Sequence, residues 1–472
     1  MTQRINGDDL LDLGYPQGPA LGTALKANKK RNQFTREEML ALYKRVLENP
    51  EAALEDPLMK DVAAALIAER EEPSKIISLN NTPPTYAIYG EGFIEKGARA
   101  QMDTAIKLPV AVAGALMPDA HAGYGLPIGG VLATKNAVIP YGVGVDIGCR
   151  MALSIYDIPE NYFNENKDRF RRELIAQTIF GAGQGYKGAA RAEHAVLDNA
   201  SFGMNSFVQH LKDRAWSQLG TSGGGNHFAE FGVLELAEPD EVMELQAGRY
   251  IALLTHSGSR GLGATIAGHY TQLAKKICQL PHEAVNLAYL GLDTQEGQEY
   301  WEAMNLAGDY ASACHEVIHN KMAAAIGAQV LAKVENHHNF AWKEQLNGEE
   351  VIVHRKGATP AARGVMGIIP GSMAAPGFLV RGRGETDAIN SASHGAGRQM
   401  SRTAAVKNLS KEALKAALVA NEVELIGGGM DEAPMAYKDI HQVMAAQTDL
   451  VDVVATFKPR LVRMAADGSR ED

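Results

Sequence analysis

Five donors of different kinds stand out along the chain: Asp146 and Cys149 in VDIGC, His227 in GGGNH, His256 in LLTHSGS, and one of the pair His337 and His338 in ENHHN. A thiolate, a carboxylate and imidazoles suit one or two divalent transition ions, and a thiolate such as Cys149 can bridge two of them. A lone histidine is more often a hydrogen-bonded structural residue. These donors, however, share one context, since each sits in or beside a glycine-rich loop. A closed structural zinc site would want paired Cys or His at short spacing, and only Asp146 and Cys149 come close to that. A covalent role for Cys149 with a histidine base has no supporting local signature.

The loops themselves carry a second signal. MPDAHAGYGLPIGG (117 to 130), GVGVDIGCR (142 to 150), GTSGGGNHF (220 to 228), HSGSRGLG (256 to 263), IPGSM (369 to 373) and SHGAGR (393 to 398) each set glycines beside His, Asp, Cys, Asn or Arg. Glycine lets backbone come close to a ligand, and amides presented that way suit phosphate oxygens. None of the loops is a P-loop, and GAGQGYKG (181 to 188) only weakly imitates a dinucleotide loop, so both of those nucleotide sites are disfavoured.

Such loops need elements to hold them. Residues 35 to 48 predict a helix with a Thr35 and Glu38 capping box and an apolar face of Met39, Leu40, Tyr43, Val46 and Leu47. A second helix is expected over roughly 57 to 72, so residues 1–75 read as a small helical accessory unit. Residues 80–472 read as a separate catalytic body, in which short β-branched runs alternate with glycine loops and with helices near 265 to 279 and 300 to 325. AVIPYGVGVDIG, RYIALLTHSG and EEVIVHRKG are strand candidates, each with polar groups at the end of an apolar run. The expected fold class is α+β, a body of mixed sheets and helices with a small N-terminal helical unit.

Composition bounds the function. With 46% hydrophobic and 22% charged residues the chain reads as an ordinary globular protein. No run of about 18 uncharged apolar residues occurs, and the first residues lack a signal-peptide pattern, so a cytoplasmic protein that avoids membranes is the expectation. Three scattered cysteines exclude a disulfide framework. A net charge of −10 argues against binding nucleic acid over the whole surface. It leaves room for a local basic groove, with candidates Arg169, Arg171 and Arg172; Arg355, Lys356 and Arg363; Arg381 and Arg383; and Lys458, Arg460 and Arg463.

Taken in order, PDAHAGYGLPIGGV, GVGVDIGCR, GGGNHFAE, THSGSRGLG, HHN, RKGA, IPGSM, SHGAGR and DEAPMAYKD resemble the RtcB family of RNA ligases over roughly residues 80 to 464. The resemblance implies an enzyme that joins RNA 3′-phosphate or 2′,3′-cyclic phosphate ends to 5′-hydroxyl ends with GTP and two Mn2+ ions. By the same resemblance Cys149 bridges the ions, Asp146 and His227 complete one, and His256 and His338 complete the other; His338 is preferred because it immediately precedes Asn339. His394 would be the nucleophile that carries GMP. Asn226, Phe228, Glu230, Asn339, Pro370, Gly371, Ser372, Met373, Ala396 and Gly397 would hold the nucleotide, with Phe228 stacking and Glu230 reading the guanine edge. Arg260, Arg355 and Arg398 are expected at RNA or triphosphate oxygens.

The chain departs from the family pattern at Met464, where a guanine-contacting lysine is usual, and at Gly377, where a serine is usual, so it reads as a divergent member with weaker selection of the base. The N-terminal unit lies outside the resemblance, and a monomer is favoured. Two other function classes compete: a two-metal phosphoesterase or nuclease, and a noncatalytic RNA-end binding protein. The first needs only the metals and a water, whereas the ligase also needs His394.

Overall fold

A computed structural model describes residues 5–16, 18–27, 34–71 and 76–466. The chain divides into two compact units, Met1–Leu79 with Cys278–Val285, and Asn80–Ile277 with Asn286–Asp472. The boundary expected near residue 75 falls on residues outside those described.

In the first unit the helix Arg36–Glu48 starts as its capping box dictates. Glu38 N–H donates to Thr35 Oγ1 at 3.2 Å, and Thr35 N–H donates to Glu38 Oε2 at 2.8 Å. Met39, Tyr43 and Val46 from its apolar face are buried, with Leu40 and Leu47 packed at the margin. The second expected helix is Lys60–Glu71. Two further helices, Gly7–Asp12 and Pro19–Ala27, were not legible as helices because each is short and Gly- or Pro-bounded. Their Leu10, Ala20 and Ala24 join the same core. Two buried tyrosines tie the helices together through their hydroxyls, Tyr15 donating to the Tyr43 carbonyl at 2.9 Å and Tyr43 to the Ala24 carbonyl at 2.8 Å.

The second unit is built on two sheets, an α+β arrangement. An eight-stranded sheet places in spatial order the strands Met366–Ile369, Gly377–Gly382, Val451–Met464, Phe228–Leu236, Gly248–Ser257, Arg150–Tyr156 and Val330–His337, with Glu424–Ile426 on the flank of Val451–Met464. Both faces of this sheet are covered. Leu234, Ala252 and Leu254 face one core; Val233, Ile251 and Leu253 face the other, against Phe163, Phe170 and Met322. That two-sided burial explains why RYIALLTHSG reads as a continuous apolar run rather than an alternating one. The five-stranded sheet contains Tyr86–Ile88, Ala111–Tyr124, Leu126–Thr134, Glu349–Lys356 and Asn339–Leu346 in that order.

Two of the three strand candidates form strands, Gly248–Ser257 and Glu349–Lys356. The third does not: in AVIPYGVGVDIG only Ala137–Val138 is extended, followed by the short helix Pro140–Val143. Pro140 lacks an N–H to give a ladder and suits the first turn of a helix. Gly144 then takes φ +105°, a conformation a strand residue with a side chain would resist, and the next strand begins at Arg150.

Candidate active site

Neighbouring strands of the large sheet end at one place, and the chemistry lies there. Met151 and Phe228 each pair with His256 from opposite sides, and Arg150 pairs with His337. Cys149 just ahead of its strand, His227 just ahead of the next, and His338 just beyond a third are therefore drawn to one point. Backbone bonds lock the junction: His338 N–H donates to the Cys149 carbonyl at 3.0 Å, and Gly148 N–H to the Asn339 carbonyl at 2.7 Å.

Cys149 Sγ lies 3.1 Å from His256 Nε2 and 3.6 Å from His227 Nε2. On one side His227 Nε2 is 3.0 Å from Asp146 Oδ2; on the other His256 Nε2 is 3.2 Å from His338 Nε2. All five are buried. The loop is tight enough that a Cβ on Gly258 would fall 2.0 Å from Asp146 Oδ1, so glycine is required there to admit the carboxylate.

The hydrogen bonds around the rim assign the tautomers. His227 Nδ1 faces the Ser222 carbonyl at 2.8 Å and His256 Nδ1 the Asn226 carbonyl at 3.2 Å. His256 Nδ1 therefore carries the proton and its Nε2 turns a lone pair inward, whereas His227 faces an acceptor at each nitrogen, a carbonyl at Nδ1 and the Asp146 carboxylate at Nε2. Burial pushes the His256 and His338 imidazoles well below their usual pKa, so they are neutral. Burial works to raise Asp146, but the hydrogen bond and charge of His227 hold it below the ordinary carboxylate range. Lone pairs of a carboxylate and neutral imidazoles thus converge beside a thiol. Such a cluster repels itself unless a cation sits within it, and the donor set fits a transition ion. His337 takes no part; its ring packs on Phe340 and Trp342 with centroids 5.0 and 4.9 Å away.

Opposite the cluster stands His394, its ring centroid 5.0 Å from that of His338. The strand Ser391–Ser393 delivers it, and Asp119 holds it: one carboxylate oxygen, Oδ2, is 2.6 Å from His394 Nδ1 and accepts the backbone N–H of His394 at 3.1 Å. Asp119 is fully buried, which alone would raise its pKa, yet the His394 imidazole keeps it lowered. Gly397, at φ +73°, lets the loop close over this carboxylate, since a Cβ there would come within 2.1 Å of the Asp119 carbonyl. His394 Nδ1 is thereby the protonated nitrogen, and Nε2 has no hydrogen bond among the described residues.

Between cluster and histidine lies a cavity of about 430 Å³. Its walls include Asp146, Cys149, His256, His338 and His394, and all ten of the expected nucleotide residues, Asn226, Phe228, Glu230, Asn339, Pro370, Gly371, Ser372, Met373, Ala396 and Gly397. Two polar atoms buried in that wall, Asn226 Oδ1 and Ser372 Oγ, have no partner among the described residues, which is the state expected of groups that await a polar ligand. Glu230 is buried opposite Val462 in the ladder, and desolvation raises its pKa well above the usual 4.5; Phe228, Met464 and Gly377 line the same cavity.

The arginines need correction. Arg398 does line the cavity, over the Tyr437 ring at 5.2 Å and donating to the Asp431 carbonyl at 2.7 Å. Arg260 and Arg355 do not. Arg260 is 1% exposed and lies behind His227, its Nη1 3.4 Å from Nδ1. Arg355 is fully buried, paired with Glu344 at 2.5 Å and 3.0 Å and stacked over Trp342. A guanidinium in a glycine-loop motif gave no sign of which way it turned.

Most of the proposed groove is likewise spent locally: Arg171 on Glu424, Arg381 on Asp240, Arg383 on Asp452, Lys458 on Glu235, and Arg463 on the carbonyls of Leu174 and Thr178. Among the described residues, the lysines and arginines that line the cavity are Lys356, Arg398 and Arg402. Arg402, held by Asp431 at 2.8 Å and by Glu432, was missed, as was Asp119. The signal for Asp119 was present, an acid two residues from His121 in a glycine-rich stretch.

Comparison with known proteins accords with this geometry. The family model described as tRNA-splicing ligase RtcB matches residues 101–465. The RNA-splicing ligase RtcB of Escherichia coli K12 is 38% identical over 393 residues, 77% of this chain and 93% of its own length. The tRNA-splicing ligase RtcB of Thermococcus kodakarensis is 29% identical over 73% of this chain and 86% of its own, and the RNA-splicing ligase RtcB homolog 1 of Entamoeba dispar 30% identical over 77% and 81%. Matched across most of its length by the family model and by these relatives, the chain belongs to the RtcB ligase family.

Proposed function

We propose that this protein joins RNA 3′-phosphate or 2′,3′-cyclic phosphate ends to 5′-hydroxyl ends, using GTP and manganese, through a GMP carried on His394. The observation that carries the reading is the Asp119 clamp on His394 Nδ1, which leaves Nε2 free at a cavity whose far wall is a cluster of metal donors. Asp146 and His227 on one side of Cys149, and His256 and His338 on the other, would hold two ions. When bound, the ions supply positive charge against the phosphate oxygens at which negative charge develops.

The residues divide the rest of the work. Phe228 offers a face for the base, and Asn226 and Ser372 offer unpartnered polar atoms. In the first step the His394 Nε2 lone pair attacks the α-phosphorus of GTP, and the bond to the β-phosphate oxygen breaks, releasing pyrophosphate. An oxygen of the RNA 3′-phosphate then displaces the histidine. Finally the 5′-hydroxyl oxygen attacks the RNA phosphorus, loses its proton and expels GMP; a cyclic phosphate must first be opened by water. Positioning and electrostatics dominate such displacements, and Arg398 stands where it can grip the phosphate oxygens.

Incubation with α-labelled GTP and manganese tests the reading. A protein-bound label that is acid-labile and alkali-stable is the expected result, because that is the stability of a phosphoramidate. Joining of RNA without any such label would overturn it.

A further inference from the structure

Ligation of RNA ends requires more than a grip on phosphate, because the ends are unpaired and their bases must be ordered. One feature of the cavity mouth is unused by the chemistry above. Tyr124 is 69% exposed although it closes a largely buried strand, and it lines the cavity. A single exposed aromatic ring is ordinary on a protein surface. Tyr124 differs in being held. Its carbonyl accepts from the buried Lys356 ammonium at 2.6 Å, and the same ammonium donates to the Tyr141 carbonyl at 3.3 Å. Immediately after it Gly125 turns at φ +72°, where a Cβ would meet the Asn286 carbonyl oxygen at 2.8 Å. The backbone is fixed on both sides while the ring stays open.

Behind it lies Tyr141, centroids 6.4 Å apart and planes inclined by 35°. Lys275 and Lys356 lie 5.7 and 5.0 Å from the Tyr141 centroid; burial lowers the pKa of Lys356 to about 7, so Lys275 is the firmer positive charge near a phosphodiester chain on this rim. Val145, 44% exposed, adds apolar surface on the same rim. The strand that ends in Tyr124 also carries Asp119, the partner of His394. Five residues of strand span at most about 17 Å, so the ring lies within reach of the last nucleotides of an RNA whose end is at His394.

We infer that Tyr124, backed by Tyr141, is a stacking platform for an unpaired base near the RNA end. The inference rests on the ligase reading. Base stacking on an aromatic ring tolerates any sequence, and its loss weakens binding by roughly 5- to 160-fold per base. Purines, with the larger face, should gain most.

The test uses full-length protein with short RNAs carrying 2-aminopurine at the last or the next position, one set ending in 3′-phosphate and one beginning with 5′-hydroxyl. Binding without GTP is followed by quenching of the fluorophore, and joining by KM and kcat. The wild type should quench one of the two sets. Tyr124→Phe and Tyr124→Trp should keep both quenching and affinity. Tyr124→Ala should lose the quenching and raise KM for RNA far more than it lowers kcat. The platform is overturned if the alanine variant quenches and binds like the wild type, or if phenylalanine fails as badly as alanine, which would assign the effect to the hydroxyl. RNA that the wild type joins normally while the alanine variant is unaffected removes only the platform; a wild type that binds neither set removes the ligase reading as well.

Discussion

Asp119 Oδ2 lies 2.6 Å from His394 Nδ1, a contact between residues 275 apart in sequence. The carboxylate sets which imidazole nitrogen keeps the proton, and so which one holds the free lone pair that the proposed attack on GTP needs. Substituting Asp119→Asn keeps the shape but lets the amide donate, which stabilises the wrong tautomer. Labelling by GTP should fall by about 10²- to 10⁴-fold, the range of a lost positioning or proton-holding group, while manganese content stays unchanged. Sealing of an RNA end supplied already capped with GMP should survive, because that step does not use the Nε2 lone pair. Loss of the capped-end reaction together with labelling would make Asp119 a general structural residue instead.

The Cys149 cluster predicts metal selection. A thiol within 3.1 and 3.6 Å of two imidazole nitrogens favours transition ions over magnesium. Cys149→Ala should abolish joining and lower manganese occupancy, measured by elemental analysis of protein equilibrated with the ion. Magnesium should not rescue it. Full occupancy and full activity in that variant would end the two-metal proposal.

Much of this site was legible before any coordinates. Asp146, Cys149, His227, His256 and His338 come together because each was written into a loop at a strand end, and strand ends of one sheet meet. The partnership of Asp119 with His394 was not legible, since it exists only after the five-stranded sheet brings residue 119 to the loop at 394. The same limit applies to Arg260 and Arg355: a guanidinium reads as a phosphate ligand until Glu344 and Trp342 appear beside Arg355, and until Arg260 is seen buried behind His227. In AVIPYGVGVDIG an apolar run outweighed Pro140 and Gly144 in the reading, and those two residues prevailed in the fold.

Glu230 predicts how base choice depends on pH. Burial raises its pKa well above the usual 4.5, so the nucleotide-free protein favours the neutral acid. A carboxylate can accept two hydrogen bonds from the guanine edge, whereas the neutral acid offers one donor. GTP affinity should therefore rise with pH as Glu230 ionises, and Glu230→Gln should flatten that rise. The sign for stability is opposite: the folded state holds this proton above pH 4.5 where the unfolded chain has lost it, so this contribution declines as pH rises toward the shifted value. With Met464 and Gly377 lining the cavity in place of further polar groups, unlabelled ATP should compete with GTP better than in typical family members. Strict GTP preference would mean that Glu230 alone suffices.

His394 separates a ligase from a phosphoesterase built on the same metals. A hydrolase needs only the donors and an activated water; it has no use for an imidazole whose Nδ1 is clamped and whose Nε2 faces the cavity. The imidazole is also the one side chain in SHGAGR able to carry GMP as a phosphoramidate. His394→Ala should lose both labelling and the joining of a 3′-phosphate RNA to a 5′-hydroxyl RNA, with manganese content and thermal unfolding unchanged. Because an RNA end already capped with GMP enters after the histidine step, the variant should still seal it. A variant that hydrolyses phosphate ends at the wild-type rate, in a protein that never labels, would assign the site to metal-driven hydrolysis. A variant that fails on the capped end with fold and metal intact would place His394 in the final displacement rather than in carrying the nucleotide.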